Sequence, residues 1–409
     1  MSYRVLARHR TYRHLFAAQV VALLGTGLLT VALSLLAFDV APGRAGAVVA
    51  GALTVKIVAY VAVAPLMSAL VERVRPAVVM VGADLVRAAI AIALPFVSEV
   101  WQIYVLMFAL QSASATFTPA MQAAIPAVLP REQDYTRALS LTRLAYDLES
   151  VVSPVIAAAL LLVIDFQGLF AGTAAGFVAS AVLVLSAGLR VEGRAAHEAG
   201  WAERTLAGVR MFAGRAPLRG LVLLDVVVAA ATALVLVDTV VLVRADLGLG
   251  EGAVAWAFAA FGAGSMLVAF AAPAALERHG DRPVMITGAG VVALGLGAAA
   301  VSPPSFAGIL ALWAVLGAAT SAVLTPSGRV VNRAVDPHER PAAFAAHFSL
   351  SHAAYLVTYP LAGWLGAAFS VATASAVLGM LAALALVAAA VVWPRASRGE
   401  RQGVAGSPM

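Results

Sequence analysis

Long apolar stretches alternate with short polar segments along the whole chain. Twelve of these stretches are long enough to cross a bilayer, which takes roughly 20 residues of α-helix. The predicted spans are residues 14–38, 45–71, 77–97, 101–129, 138–164, 169–189, 221–244, 253–276, 283–301, 306–326, 342–369 and 371–393. Membrane β-strands would give shorter segments in which polar and apolar residues alternate. The pattern therefore predicts an all-α membrane protein with twelve transmembrane helices.

The second half of the chain repeats features of the first half. Pro119, in span 4, recurs as Pro326 in span 10, and Glu132, before span 5, recurs as Glu339 before span 11. Both pairs are separated by 207 residues. Internal repeats of this kind are typical of secondary transporters. The repeat predicts two related bundles of six helices each.

Composition agrees with a membrane protein. Of the 409 residues, 62% are hydrophobic and 12% are charged, whereas about 25% of the residues in a soluble protein are charged. The chain contains no cysteine, which excludes disulfides and thiolate metal sites.

Basic residues are distributed very unevenly among the loops. Of the 27 basic residues, 22 lie in the N-terminal tail, the even-numbered loops and the C-terminal tail, whereas the odd-numbered loops hold only Arg44 and Arg244. Because cytoplasmic loops are enriched in Lys and Arg, this bias predicts that both termini are cytoplasmic. It also accounts for the net charge of +6 without a nucleic-acid partner.

Six spans, a basic linker and six further spans resemble the major facilitator superfamily over nearly the whole chain. Three segments look like its drug and siderophore exporter branch, which includes macrolide-efflux and enterobactin-exporter-like proteins: Tyr12-Arg13-His14-Leu15-Phe16, Asp84…Arg87 and Ile125-Pro-Ala-Val-Leu-Pro130-Arg131-Glu132. The superfamily's charged loop motif after span 2 keeps only Arg73, and its second copy keeps Arg278, Gly280 and Arg282.

The resemblance implies a specific domain organisation. Residues 1–189 and 220–394 form two pseudo-symmetric six-helix bundles, and residues 190–219 form a cytoplasmic linker with a short surface helix. Residues 395–409 are expected to be a disordered tail, because they are polar and follow the last span.

The resemblance also implies a function. We expect proton-coupled efflux of a small amphipathic compound by a monomer in the bacterial inner membrane, with protons and the lipid bilayer as further partners and no cofactor. A siderophore or nutrient importer and a non-transporting scaffold or sensor are the alternatives. No Walker loop, nucleophile elbow or zinc motif occurs, so the sequence does not indicate an enzyme.

Polar side chains follow one helical face of several spans. Such residues usually face the protein interior or water, because they are costly in lipid. The stripes comprise Gln19, Thr26 and Thr30; Gln111, Ser114, Thr118 and Gln122; Asp225, Thr232 and Thr239; and Trp313 with Thr320 and Ser321. By resemblance, these spans line a central cavity, to which we also assign Asp238. The alternative is that the hydroxyl groups serve helix packing.

Lys56 is the only lysine of the chain and lies near the middle of span 2. A central lysine costs about 2.5–3.5 kcal/mol on insertion scales, so it needs a carboxylate, a wet cavity or the loss of its proton. Candidate carboxylates are Glu149, Asp147, Asp225 and Asp238. Lys56 is therefore either part of a substrate or proton-coupling site or one half of a structural ion pair.

Span 5 carries three ionisable residues near its start. Arg143 and Asp147 are four residues apart and can pair on one helical face. Glu149 points about 200° away from Asp147, at 100° per residue. An unpaired carboxylate in a low dielectric can take up a proton near neutral pH. Glu149 is therefore the first candidate for carrying the coupling proton and Asp225 the second, unless Lys56 pairs permanently with Glu149.

Charged residues at the predicted cytoplasmic ends of the spans are candidates for gating. By resemblance, Glu72, Arg73, Asp84 and Arg87 form ion pairs that hold the outward-facing state closed on the cytoplasmic side. The alternative is that they anchor the helices at the membrane interface. The full set of gating candidates is Glu72, Arg73, Arg75, Asp84, Arg87, Arg143, Glu277, Arg278 and Arg282.

Three ring side chains lie on one face of span 11. His352, Tyr355 and Tyr359 are spaced at i, i+3 and i+7, which places them on one face of a helix. They either stack on an aromatic or cationic substrate or pack between helices, and His352 and Tyr355 join the cavity candidates.

Overall fold

A computed structural model describes residues 4–41, 45–189, 201–302 and 305–393, which are predominantly helical. Its α-helices are α1 (Arg4–Arg8), α2 (Arg10–Val40), α3 (Ala45–Leu70), α4 (Pro76–Ala93), α5 (Val100–Val128), α6 (Glu132–Leu160), α7 (Phe166–Ser186), α8 (Trp201–Gly214), α9 (Ala216–Ala233), α10 (Glu251–His279), α11 (Asp281–Val301), α12 (Phe306–Ala334), α13 (Arg340–Ala368) and α14 (Val371–Val392). The tail predicted to be disordered, 395–409, and residues 190–200 of the linker lie outside the described residues.

Ten of the described helices are long and apolar enough to cross a membrane, judged by length and composition. The more polar helices α6 and α13, with 29 residues each, bring the described long helices to twelve. The all-α prediction is confirmed.

Six of the described helices begin in one of two ways. Helices α7, α12 and α14 begin with side-chain caps, in which Asp165, Ser305 and Ser370 accept hydrogen bonds from backbone N–H groups three residues later. Helices α4, α9 and α13 instead have proline in their first two positions. Proline has no N–H group, so it leaves no unpaired donor there.

The two halves of the chain use the same helix pairings. In the first half (α2–α7), α2 and α4 both pack on α7, and α3 packs on α5. In the second half (α9–α14), α9 and α11 both pack on α14, and α10 packs on α12. Across the halves, α3 packs on α13 and α6 packs on α10, which are again repeat-related pairs. The internal repeat read from the sequence is therefore visible in the packing.

One end of the molecule gathers arginine-bearing helix termini from both halves, and we call it the basic end. Arg333, near the end of α12, contacts Glu132 at the start of α6 and Asp281 at the start of α11. Arg282 donates hydrogen bonds to the carbonyl groups of Trp393 and Ala390 at the end of α14. The prediction from the loop charges makes this the cytoplasmic end.

Several helices extend further at the basic end than the apolar pattern predicts. Helix α6 begins at Glu132 rather than at residue 138, α11 begins at Asp281, and α12 continues through Pro326 to Ala334. Neighbouring helices let a membrane helix tolerate the missing N–H group of a proline. The extensions place charged residues, which the sequence assigned to loops, on rigid helices.

Helix α9 ends in two π-helical segments, Leu234–Asp238 and Val241–Asp246. The Trp313 indole N–H donates to the Thr239 hydroxyl over 2.8 Å, and a side chain on Gly366 would collide with the Asp238 carboxylate. Asp238 and Trp313 are each 1% exposed. The structure therefore buries both in the second half, whereas the sequence placed them in the central cavity.

Candidate functional site

Four charged residues join the two halves at the basic end, and we call them the clamp: Glu132, Asp281, Arg329 and Arg333. Arg329 lies 2.6 Å from the Glu132 carboxylate of the first half and 2.9 Å from Asp281 of its own half. Arg333 pairs with the same two carboxylates. The side chains of Arg329 and Asp281 are 6% and 7% exposed, whereas those of Glu132 and Arg333 are about half exposed. The inner part of the clamp is therefore shielded from water, which strengthens its ion pairs.

The backbone of α12 approaches α6 closely beside the clamp. The Tyr135 hydroxyl donates to the Gly328 carbonyl over 3.1 Å, and Arg329 donates to the Thr136 hydroxyl over 2.5 Å. A Cβ atom at Gly328 would lie 2.8 Å from the Leu139 side chain. Only glycine allows this approach without displacing a neighbour, so the halves are in direct contact here.

A second polar contact joins the halves near the middle of α6. Arg143 pairs with Asp147 over 2.6 Å, as the spacing of the two residues predicts. The Ser265 hydroxyl of α10 donates to Asp147 over 2.6 Å and accepts from Arg143 over 3.0 Å. Arg143, one of the gating candidates, therefore lies at a contact between the halves.

Aromatic residues join α3 to α13 at a third contact. The Tyr60 ring lies 4.7 Å from the Phe348 ring and 4.9 Å from the His352 ring, measured between centroids. The Ser349 hydroxyl donates to the Val61 carbonyl. His352 and Tyr355 continue the ring contacts along α13, at 5.9 Å. His352, a cavity candidate, therefore takes part in packing between the halves.

Lys56 lies beside this aromatic contact, together with Glu149. We call Lys56, Tyr60, Gln111, Glu149 and His352 the central cluster. The ammonium nitrogen of Lys56 is 5.6 Å from the Tyr60 ring centroid, and the Tyr60 hydroxyl donates to Gln111 over 3.1 Å. Among the described charges, Glu149 and Lys56 each act on the other. Of the four carboxylates considered for Lys56, Glu149 is therefore the one whose charge acts on it, without a direct ion pair of Lys56 among the described residues.

Glu149 also lies against α2. A Cβ atom at Gly27 would come within 2.7 Å of its carboxylate and 2.1 Å of the Ser153 side chain. Glycine at this position therefore lets α2 and α6 approach each other where Glu149 is held.

The polar stripe on α2 becomes more exposed away from the basic end. Gln19 is buried, Thr26 is half-buried and Thr30 is exposed. The hydroxyls of Thr26 and Thr30 donate to carbonyl groups of their own helix. The same is true of Ser114 on α5 and Thr232 on α9, whereas Thr118 is half-buried. Because these hydroxyls are already satisfied, they can line a cleft or pack against helices equally well.

The pair Asp84–Arg87 lies inside the first half instead of between the halves. Asp84 is fully buried, and Arg87 is 4% exposed. The Arg87 guanidinium carbon lies 4.5 Å from the Phe117 ring centroid and 4.4 Å from that of Phe177. Both phenylalanines belong to the first half, so these contacts hold α4, α5 and α7 together.

The remaining gating candidates do not form the clamp. Glu72 is half-buried, and the others are exposed: Arg73, Arg75, Glu277 and Arg278. Arg282 binds the end of α14, within its own half. In the second copy of the charged loop, the residue that reaches the clamp is the neighbouring Asp281.

Asp225 has a partner that the sequence did not indicate. The Nε2 atom of His347 lies 3.1 Å from its carboxylate, and the Phe212 ring of α8 stacks on the imidazole at 6.0 Å with an interplanar angle of 4°. The second carboxylate oxygen of Asp225 is buried without a hydrogen-bond partner among the described residues. The same holds for one carboxylate oxygen of Asp238.

Sequence reasoning missed His347 and all four clamp residues as functional candidates. His347 and Asp225 are 122 residues apart, and no local spacing connects them. The clamp left one signal, because Glu132 belongs to the repeated pair Glu132 and Glu339. The sequence pattern ends the helix at Pro326, so it does not show that α12 continues far enough to bring its arginines to Glu132.

Comparison with known sequences indicates a transporter family. The sequence model of the Major Facilitator Superfamily matches residues 15–243 and 221–408. The chain is 30% identical over 131 residues to macrolide efflux protein A of Enterococcus faecalis, and 29% identical over 130 residues to that of Streptococcus pyogenes. These alignments cover 31% of this chain and 40% and 32% of the relatives, so the chain matches less than half the length of each.

Solved structures share the fold over nearly their whole length. The human organic anion transporter MFSD10 (TETRAN) superposes with a TM-score of 0.80 at 13% identity, covering 93% of this chain and 99% of that protein. A bacterial homologue of the iron transporter ferroportin in an outward-facing state gives a TM-score of 0.72 at 15% identity, covering 94% and 98%. At these identities, the likeness concerns the fold alone.

Proposed function

The chain belongs to the Major Facilitator Superfamily, and we propose that it exports a small amphipathic compound by alternating access, driven by protons that move inward. Membership makes it a multi-pass membrane transporter and not an enzyme. The macrolide efflux relatives support export, and they support the bacterial inner membrane as its location. The observation that carries the proposal is the closed basic end together with the ionisable central cluster at the contact between α3 and α13.

The contacts between the halves support alternating access. They include the clamp at the basic end, Ser265 with its two partners, and the aromatic contact between α3 and α13. The increasing exposure of the α2 stripe supports a cleft that opens at the opposite end. If the basic end is cytoplasmic, the structure corresponds to an outward-facing state, and release of the clamp would open the inward-facing one.

The central cluster supports an amphipathic substrate. Its aromatic rings offer apolar surface, and Lys56 and Glu149 are the charged groups beside them. A sugar would need more hydrogen-bonding groups, because a site that buries hydroxyl groups must satisfy each of them. A largely apolar compound with one or two polar groups fits the cluster better.

Glu149 is the proposed site of the coupling proton. A carboxylate in a low-dielectric site opposite one lysine can alternate between charged and neutral forms, since protonation removes its attraction to the ammonium. Proton uptake by Glu149 would free Lys56 to interact with the substrate. Asp225 is the second candidate, because one of its carboxylate oxygens is buried without a hydrogen-bond partner among the described residues while the other contacts the His347 ring.

Transport assays in inside-out vesicles from a pump-deleted host test the proposal. With a macrolide as the probe, wild-type vesicles should accumulate it when the vesicle interior is acidic. Lys56→Met should abolish this uptake while the protein remains inserted, and Glu149→Gln should uncouple it from the pH gradient. Asp238→Asn is the matched variant, since it neutralises a buried acid outside the central cluster.

Each outcome has a distinct meaning. If Glu149→Gln still follows the pH gradient, Glu149 is not the coupling site. If Lys56→Met transports normally, Lys56 has only a structural role. Movement of substrates in the opposite direction would indicate an importer, and the absence of transport across a panel of hydrophobic compounds would favour a scaffold.

A further inference from the structure

A cavity of about 340 Å³ lies at the basic end beside the clamp. Its walls come from both halves: the end of α5 with Pro130 and the start of α6 from the first, and the end of α12 and start of α13 from the second. This volume lies near the lower limit for ligand sites, which measure about 300–1,000 Å³. The cavity therefore suits a compact ligand or the headgroup of a larger one.

The charges around the cavity do not cancel. Glu132 and Asp281 offset Arg329 and Arg333, because each arginine pairs with both carboxylates. Arg340 also lines the cavity. No ion pair of Arg340 occurs among the described residues, and its Nε atom is buried without an acceptor.

The acidic group nearest to Arg340 in sequence is already engaged. Glu339 forms a two-pronged pair with Arg215, with both N–O distances at 2.8 Å. Asn332 also lines the cavity, and its Oδ1 atom is buried without a donor. Buried polar atoms without partners are costly, so the Nε atom of Arg340 and the Oδ1 atom of Asn332 favour a bound polar ligand in the cavity.

We propose that this cavity binds a phosphate group. A guanidinium fork matches the oxygens of phosphate, and Arg340 is the first residue of α13, where the helix dipole favours an anion. The Asn332 amide can both donate and accept, so it can serve a partly protonated phosphate. The group comes either from a soluble phosphate compound or from the headgroup of an anionic lipid.

The ligand would stabilise one conformation of the protein. Since residues of both halves line the cavity, a phosphate held by Arg340 contacts the first half only while the basic end is closed. Binding should therefore shift the equilibrium towards the closed basic end, as any ligand does that prefers one of two states. This prediction does not depend on what the protein transports.

Cysteine labelling measures that shift directly, since the natural chain has no cysteine. Leu139 is half-buried against Gly328 at the contact between the halves, so the reporter Leu139→Cys should label more slowly while the basic end is closed. In detergent at constant ionic strength, inorganic phosphate replaces chloride. Labelling should slow about tenfold when the phosphate concentration is about ten times its Kd.

Variants separate the site from general screening by salt. Arg340→Gln should abolish the effect of phosphate, and Arg340→Lys should weaken it, because it keeps the charge without the fork. Arg137→Gln should retain the effect; it removes an arginine of the same end that pairs with Asp134 and does not line the cavity. If Arg340→Gln does not fold, Asn332→Leu replaces it, and this variant should also lose the effect of phosphate on labelling.

A second labelling experiment, in lipid nanodiscs, identifies the source of the phosphate group. Without free phosphate, the reporter is compared in nanodiscs of phosphatidylglycerol and of phosphatidylcholine. If labelling is slower in phosphatidylglycerol and this depends on Arg340, the bound phosphate belongs to a lipid headgroup. If only free phosphate slows labelling, the ligand is a soluble phosphate compound. The proposal is wrong if neither arm depends on Arg340, or if Arg137→Gln loses the effect equally.

Discussion

The two repeat-related glutamates, Glu132 and Glu339, occupy the same position in the two halves and make different contacts. Each lies at the start of a long helix at the basic end, 207 residues from the other. Glu132 reaches across to Arg329 and Arg333 of the other half, whereas Glu339 pairs with Arg215 of its own half. The same scaffold position therefore supports a contact between the halves in one copy and a local contact in the other.

The difference arises from the partners. The counterparts of Arg329, Arg333 and Asp281 at the repeat offset of 207 residues are Gln122, Pro126 and Val74. At these three positions the first half therefore offers no charged group with which to hold Glu339. A duplicated fold supplies matching backbone positions. A few residue differences between the two copies decide where ion pairs join the halves.

The largest expected effect comes from removing the buried arginine of the clamp. Arg329→Gln leaves Asp281 and Glu132 without their inner partner, and breaking a buried pair costs about 3–5 kcal/mol. Even if about 1.4 kcal/mol of this falls on the closed state alone, labelling of the Leu139→Cys reporter should accelerate tenfold. Arg219→Gln, at an exposed position near the start of α9, is the charge-matched control. Unchanged labelling in Arg329→Gln would show that the clamp does not hold the halves together.

An intermediate effect is expected from neutralising the two glutamates separately. Glu132→Gln should accelerate reporter labelling a few-fold, since its side chain is about half exposed and exposed pairs contribute little. Glu339→Gln should leave labelling unchanged, because its partner Arg215 belongs to the same half. Equal acceleration in both variants would contradict the asymmetry between the halves.

The smallest expected effect concerns the pH dependence of stability. The hydrogen bonds from Arg215 lower the pKa of Glu339 below its usual value. A carboxylate whose pKa is lower in the folded than in the unfolded state stabilises the fold at pH values above its unfolded pKa, which is about 4.3 for Glu. This stabilisation is lost as the pH falls through the folded-state pKa.

Thermal unfolding of the wild type and Glu339→Gln, compared between pH 7 and pH 4, measures this contribution. The wild type should be slightly more stable at pH 7, and the difference should shrink towards pH 4. A difference that grows on acidification would show that the pair with Arg215 does not stabilise the folded protein.

The spans and the repeat could be read from the sequence because each depends on local order. Apolar length defined most helix positions within a few residues, as for α5, predicted at 101–129 and found at Val100–Val128. Apolar length does not locate a helix end where polar residues continue the helix outside the apolar run. It therefore assigns Glu132 and Arg329 to loops, and the gating candidates predicted from the sequence include Asp84 and Arg87 instead.

The sequence by itself determined that the chain is a duplicated helical membrane protein and that Lys56 needs a carboxylate, a wet cavity or the loss of its proton, because lipid excludes charge and requires each helix to satisfy its own backbone. Only the tertiary structure decided which partners meet. Glu149 acts on Lys56 through its charge, His347 meets Asp225 and Arg329 meets Glu132 through the packing of helices that lie far apart in the chain. Side-chain spacing along one helix carries no information about the rotation and depth of its neighbour, so these pairs emerge only when the two halves pack together.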